Sequence, residues 1–285
     1  MFFPLYFSDL IKPVQSHIDE KITPADNFDF VNSLKNHLSW WEEYCDNEQI
    51  LDVVRDGYKL PLESIPSKCF LANNKSARDN PDFVASEINS LIKKGIVVET
   101  SEPAFITSPL TVAPGAKKKR LVLDARHVNP LLKLEHMKYE DIKVASNFFK
   151  KGQYMVKLDL KSAYHHVAIN EECTKFLGFS WVFEGKPRYF RFKMLAFGLK
   201  TAGFIFSKIC RVLVKKWRGQ NNLKVVMYLD DILLVANTSK EASEGAKILE
   251  EDLRNAGFCI ALDKSLVEPV QELVFLGFVL NSKHN

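Results

Sequence analysis

Several signatures that would settle the class of this chain are missing. Its five cysteines (Cys45, Cys69, Cys173, Cys210 and Cys259) are scattered, odd in number and form no CxxC pair. That excludes a disulfide framework and a cysteine zinc site, and fits reduced thiols in an intracellular protein, cytoplasmic or nuclear. No apolar run approaches the length of a membrane span, so no membrane partner is expected. The apolar start, Met1 to Phe7, lacks a basic flank and is broken by Pro4, which argues against a signal peptide. There is no internal repeat and no low-complexity tract. An excess of one charge is also missing: 39 Lys+Arg against 35 Asp+Glu leave only +4, which permits nucleic acid without arguing for it. What is present is ordinary globular material, 285 residues at 46% hydrophobic and 26% charged, enough for one large domain or two subdomains.

The most informative feature is a pair of acids, Asp230 and Asp231, between two apolar runs, Lys224–Leu229 and Ile232–Val235. Such runs around a polar pair read as two buried strands joined by a tight turn. Like charges at that tip are hard to keep ionised unless something neutralises them, and a divalent cation would do so. Taken alone, the hairpin is read better as an ordinary Asp-rich turn.

The rest of the chain supplies context. Residues 1–30 carry three prolines and read as an irregular arm; 31–57 look helical around Leu34, Leu38 and Trp41, then around Ile50, Val53 and Val54, with Gly57 as the stop. Asn80 as cap and Pro81 at the first position open a helix with Val84, Ile88, Leu91 and Ile92 on one face, closed by Gly95. Short strands are expected at Ile96–Glu99, Ser108–Val112 and Arg120–Asp124, the last two joined through Pro114-Gly115 and the basic run Lys117 to Arg120. That run suits a solvated tip or a phosphate hook. A central strand covers Tyr154–Leu160, placing Met155, Lys157 and Asp159 on one face and Val156, Leu158 and Leu160 on the other. A helix is expected from about Ser162, an aromatic hairpin around Gly185-Lys186-Pro187, and a long helix over Lys200–Trp217. Thr238 to Glu241 forms a capping box for a helix ending at Gly257, followed by strands at Phe258–Leu262 and Leu273–Leu280. The order implies α+β, a central antiparallel sheet backed by helices.

If the strands of Asp159 and Asp230 are neighbours, their carboxylates converge, and carboxylates so held can bind two Mg²⁺ for an in-line phosphoryl displacement. Six ordered motifs sharpen this. Tyr228-Leu229-Asp230-Asp231 resembles the catalytic box of reverse transcriptases, and Lys157 to His166 resembles their first carboxylate motif. Met194 to Ala202 resembles their template and nucleotide motif, Arg120 to Asn129 the fingers motif, and Phe275-Leu276-Gly277-Phe278 the primer-grip turn. Gly257-Phe258 with Lys264 resembles the motif just before it. Ile50–Pro66, with Gly57-Tyr58-Lys59-Leu60-Pro61 inside it, resembles DIRS-like retrotransposons, with gypsy-type elements and pararetroviruses as close alternatives.

The resemblance implies a right-hand polymerase with a helical segment over 1–66, fingers over 67–153 and palm over 154–285, part of the fingers being inserted at about 170–195. It implies two Mg²⁺ held by Asp159, Asp230 and the Leu160 carbonyl, with Asp231 in support. Tyr164 would be a steric gate against a 2′-OH. Arg120 would clamp the triphosphate, Phe197 and Gly198 would face the nucleotide, and Lys264 would protonate pyrophosphate. Each has a plainer reading: Tyr164 as a core aromatic, Arg120 and Lys264 as turn cations, Gly198 as a helix-start glycine. Asp124, Arg126 and Asn129 read as structural polar residues, and His165-His166 as helix surface and core.

Ala196 and Gly203 stand where relatives usually carry prolines, which implies a more flexible loop there. The implied partners are an RNA or DNA template with its primer, a dNTP, and downstream thumb and RNase H segments of the same polyprotein. Lys208, Arg211, Lys215, Lys216 and Arg218 are candidate contacts to the duplex, or a solvated helix face. No RNase H or protease motif is visible, and a full thumb hardly fits after Phe278, so the chain reads as a fingers–palm unit of a polyprotein or a truncated copy. The rival readings are a degenerate or domesticated nucleic-acid-binding copy and an RNA-dependent RNA polymerase, which Tyr164 disfavours.

Overall fold

A computed structural model describes residues 28–115 and 119–283. The irregular arm expected over 1–30 therefore falls almost wholly outside the described residues, as do Lys117 and Lys118. The architecture is organised by a four-stranded antiparallel sheet in the order β11 (Leu266–Val270), β6 (Tyr154–Asp159), β10 (Asp231–Ala236) and β9 (Lys224–Tyr228). Its strands are apolar on both sides because both faces are covered. Val156, Leu158, Val225 and Leu234 join the main core, whereas Met155, Val226, Leu233 and Val235 join a second, smaller core with Leu273 and Phe275. The period-2 division expected for β6 is therefore real, with each half facing a different core.

Helices α7 (Ala202–Gly219) and α8 (Ser239–Asn255) back the main-core face. The capping box forms: Thr238 Oγ1 accepts the Glu241 amide at 3.1 Å, and Glu241 Oε2 accepts the Asn237 amide at 3.0 Å. Asp252 ties the helices together, accepting from Trp217 Nε1 at 2.9 Å and Lys216 Nζ at 2.8 Å. On the other face lie α5 (Ile142–Phe148) and the hairpin β12 (Glu272–Phe275)–β13 (Phe278–Asn281), both part of the second core.

A second, mixed sheet runs β1 (Cys69–Phe70), β3 (Ile106–Thr107), β7 (Gly178–Phe183), β8 (Lys186–Phe192), β2 (Val97–Thr100), and a ribbon of β4 (Leu110–Ala113) and β5 (Arg120–Leu123) stands beside it. Helices α3 (Lys75–Arg78) and α4 (Pro81–Lys93) flank it. The short helix α6 (Glu171–Thr174) precedes β7. Helices α1 (Leu38–Tyr44) and α2 (Glu48–Asp56) belong to the main core, where Trp41 Nε1 donates to the Ala256 carbonyl at the end of α8, at 3.0 Å.

Five local expectations need correction. The segment after Ser162 is one 3-10 turn, Ala163–His166, not an α-helix; Ala168 and Ile169 then make isolated bridges to Met194 and Tyr58, so the chain turns extended before a helix can propagate. Asn80 occupies the cap position of α4, but its side chain donates to the Ser76 carbonyl instead. The strand expected at Phe258–Leu262 is a single bridge at Ile260, the edge of the sheet being taken by β11; the one expected over Leu273–Leu280 is two strands about a turn. His165 is not at a helix surface: both histidines are buried.

Burial disfavours both imidazolium forms, pushing His165 down to about 3 and His166 down to about 4. His166 is held neutral by geometry as well, since Nε2 accepts the Cys259 amide at 2.9 Å while Nδ1 lies 3.0 Å from the Ala163 carbonyl, to which it donates. Their folded values lie below the unfolded 6.5, so the unfolded chain binds more protons between those limits. Stability from this pair is therefore complete above pH 6.5 and falls as pH drops toward 4. Each histidine should cost about 2 kcal/mol at pH 5 relative to pH 7.5. Urea titrations of His165→Phe should show an acid limb shallower by about that amount; a limb as steep as the wild type's would refute a neutral, buried His165.

Candidate active site

The carboxylates meet because of strand register. Asp231 is the Cα partner of Asp159 across β10 and β6, and of Tyr228 across β10 and β9. Leu229 and Asp230 form the turn between β9 and β10. Leu229 has φ 53° and Asp230 is not left-handed, the pattern of a II′ hairpin turn, which normally takes glycine first. A leucine there costs about 1–2 kcal/mol of backbone strain. The Asp230 carbonyl accepts the Leu160 amide at 3.1 Å, locking the tip to the end of β6. From the other side Ser265 Oγ accepts the Asp159 amide at 3.1 Å, and the Ala261 amide donates to the Asp159 carbonyl at 2.8 Å.

Electrostatics divide the three acids. Asp159 is 8% exposed, and burial raises its pKa; the nearby Lys264 ammonium, 3.5 Å from Oδ1, pulls it down, and Asp230 and Asp231 push it up. Asp230 is likewise raised, first by burial; its own backbone amide lowers it, Asp231 raises it, and the charges of Lys264 and Arg120 lower it. Asp231 differs, because Lys157 Nζ stands 2.7 Å from its Oδ1. Lys157 shares the face of β6 with Asp159 two residues on, so period 2 was the signal that could have found this pair.

Among the described residues no three His, Cys, Asp or Glu side chains form a ready-made metal cage. Asp159 and Asp230 bring two carboxylates to one end of the sheet, where Lys264 offsets their charge only in part. That fits Mg²⁺, which is usually held by one or two carboxylates together with substrate phosphates. A cleft of about 960 Å³ lies elsewhere, bordered by Gly57, Tyr58, Ile169 and Lys193 and by none of the three acids.

Around this pair lie the other expected residues. The Tyr164 ring is largely buried, 4.9 Å from the Phe197 ring and 5.6 Å from Phe206, and burial pushes its hydroxyl up to about 12. Phe197 is part-exposed beside it. Gly198 has φ 111°, and a Cβ there would stand 1.8 Å from the Leu123 carbonyl, so glycine is required by contact with the β5 strand end. Asn129 latches the same loop, donating to the Gly198 carbonyl at 2.8 Å and accepting the Lys200 amide at 2.9 Å. Asp124 pairs with Arg126 at 2.7 Å and accepts from Asn74, so Asp124, Arg126 and Asn129 are structural here. Gly203 is the second residue of α7 rather than part of a flexible loop. Arg120 opens β5 as an exposed residue, and Lys119 Nζ donates to Asn80 Oδ1 at 2.5 Å. Leu276 and Gly277, at φ 49° and 82°, make a I′ turn between a buried Phe275 and an exposed Phe278.

The cations of α7 are not a free row. Lys208 pairs with Glu135, Lys215 with Asp46, Lys216 with Asp252 and Arg218 with Glu140, and Arg211 donates to the Lys138 carbonyl at 2.7 Å. Helical spacing puts Lys208, Arg211, Lys215 and Arg218 along one face, with Lys216 turned away from it, and each meets its own acceptor.

Residues 110–280 match the family described as "Reverse transcriptase (RNA-dependent DNA polymerase)". The Pol polyprotein of transposon gypsy from Drosophila melanogaster is 28% identical over 66% of this chain and 20% of its own length. The enzymatic polyprotein of Cestrum yellow leaf curling virus is 27% identical over 84% of this chain and 37% of its own. A foamy viral protease-reverse transcriptase solved in complex with dsDNA has a TM-score of 0.67 at 18% identity, covering 94% of this chain and 56% of that one. The chain thus spans well under half of these two polyproteins, and the structural likeness establishes an α+β fold of polymerase fingers and palm. The match across residues 110–280, more than half of the chain, makes this protein a member of the reverse transcriptase family.

Proposed function

We propose that this chain is the fingers–palm part of an RNA-directed DNA polymerase, transferring a nucleotide from a dNTP to a primer 3′-OH with release of pyrophosphate. The carrying observation is that Asp159, buried at the end of β6, and the half-buried Asp230 at the adjoining turn are both raised first by burial, with Asp230 adding to the rise at Asp159 and Lys264 lowering both. Asp159, Asp230 and the Leu160 carbonyl would hold two Mg²⁺, which when bound activate the attacking hydroxyl and stabilise the leaving oxygen. Asp231, ion-paired to Lys157, supports this site without being spent on it. Arg120 clamps the triphosphate, and its field at Asp230 supports that placement. Phe197 and Gly198 border the nucleotide. Tyr164 excludes a 2′-OH by bulk. Lys264 counters Asp159 until the substrate arrives and then donates to pyrophosphate. Phe275-Leu276-Gly277-Phe278 presents the primer end.

The division into 1–66, 67–153 and 154–285 belongs to this proposal. So do the partners: a primed RNA or DNA template, and thumb and RNase H segments of a longer polyprotein, as the polyprotein relatives support. Within the family, the Gly57 to Pro61 segment supports a DIRS-like origin.

Primer extension on an RNA template tests the proposal. Asp230→Asn should lower extension by about 10³-fold or more. Folding should respond in the opposite sense. A raised folded pKa means that stability is greatest below the carboxylate range and is lost as pH rises through it. Near pH 7.5 without metal, Asp230→Asn should therefore melt above the wild type, and Mg²⁺ should raise the wild-type Tm but not the variant's. An unchanged metal-free Tm would remove the repulsion argument.

Lys264→Ala takes away a cation that holds Asp159 down. The acid limb of the pH–rate profile should move to higher pH, and an unmoved limb would separate Lys264 from Asp159. Tyr164→Ala should cut the preference for dNTP over NTP by roughly 10- to 200-fold. Wild-type chain that binds template yet never extends, even joined to its downstream sequence, would favour the binding-module reading.

A further inference from the structure

The strap Met137–Glu140, which leads into α5, is pinned on both sides of Tyr139. Arg211 donates to the Lys138 carbonyl at 2.7 Å. Glu140 pairs with Arg218 at 2.8 Å and accepts the Met227 amide at 3.0 Å. The cleft under the strap, bordered by Met137, Tyr139, Cys210, Met227 and Leu229, holds only about 20 Å³, room for roughly one water, so the strap has little slack. Two cations that the sequence suggested for the duplex are thus used to set this strap.

Tyr139 is aimed at the gate. A Cβ on Gly203 would stand 3.0 Å from the Tyr139 hydroxyl, 3.4 Å from the Tyr164 hydroxyl and 3.8 Å from Leu229 Cδ2. The absent side chain at Gly203 is therefore the space in which both phenols end. The Tyr139 ring also lies 6.2 Å from that of Tyr228, beside the catalytic turn. Tyr164 is already bounded by Phe197 and Phe206, at ring distances of 4.9 and 5.6 Å. Tyr139 closes a further side.

We propose that Tyr139 is a positioning residue for sugar selection: its phenol, seated over Gly203, stops Tyr164 from withdrawing from the incoming sugar. The proposal rests on Tyr164 acting as the gate. A gate works only if it cannot yield, because a 2′-OH is rejected by contact with a ring that has nowhere to go. Tyr139 is itself 37% exposed, so removing it opens the Gly203 side of Tyr164 to solvent and lets the ring swing that way.

The test is the ratio of kcat/KM for dATP over ATP in primer extension with Mg²⁺. Tyr139→Ala should lower that ratio by about tenfold, while Tyr139→Phe, which keeps the ring, should restore most of it. Because Tyr139 acts through Tyr164, adding Tyr139→Ala to Tyr164→Ala should change nothing further, a coupling that general loosening would not produce. If Tyr139→Ala fails to fold, Tyr139→Leu, too short to reach Gly203, should show the same fall. A wild-type ratio in these variants, with Tyr164→Ala still lowering it, overturns the role of Tyr139 and leaves the gate standing. No change in Tyr164→Ala overturns the gate and this proposal with it. For a chain that does not extend, the affinities of Mg·dATP and Mg·ATP, read by intrinsic fluorescence, replace the rates; equal affinities in the wild type overturn both.

Discussion

The structure depends on one electrostatic constraint: carboxylates of like charge are held close together at the edge of a hydrophobic sheet. Asp159 and Asp231 are directly opposed on neighbouring strands, with Asp230 at the adjoining tip. The apolar residues on both faces of β6 and β10 hold them there. Slipping the pairing by one residue would turn Lys157, Asp159 and Asp231 into the main core and Leu158 out of it. The same burial that fixes the register raises both Asp159 and Asp230, so the fold itself creates the demand for counter-charge. Lys157 and Lys264 answer part of that demand, each bound to a different acid. The strained left-handed Leu229 at the tip belongs to the same pattern, since strain collects where a site is held against its local preference.

The positive charge of α7 is engaged within the protein. The five cations of α7 hold α1's end, α8 and the 135–140 segment in place, and two of them set the strap carrying Tyr139. The small-residue positions have equally local reasons. Gly198 admits the Leu123 carbonyl, and Gly203 admits two tyrosine hydroxyls. At both glycines the missing side chain makes room for neighbouring parts of the protein itself.

Much of this was legible in the sequence. The Tyr154–Asp159 alternation, the acidic hairpin, the capping box at Thr238, and the stops at Gly57 and Gly95 are short-range physics, and the elements follow them. The misreadings are places where a distant partner outbids a local preference. Asn80 turns from its cap to the Ser76 carbonyl, and the chain after Ser162 is taken by bridges instead of helix. His165 lies in the core between Phe30 and Phe197, residues far from it in sequence. The ion pair of Lys157 with Asp231 needed only the period of one strand plus the identity of its neighbour, and only the first was visible.

By itself, then, the sequence determined most of the strands and helices and that Asp159, Asp230 and Asp231 fall in motifs resembling those of reverse transcriptases, because periodicity, capping and motif order are properties of contiguous residues. Tertiary structure decided how those acids divide: Asp231 bound to Lys157, Asp159 and Asp230 raised by burial with Lys264 as their shared counter-charge. It also decided that the α7 cations are posts and that Tyr139 backs Tyr164 across Gly203. The reason is that charge pairing and steric backing depend on distances between residues far apart in the chain, and those distances exist only once the two cores have packed.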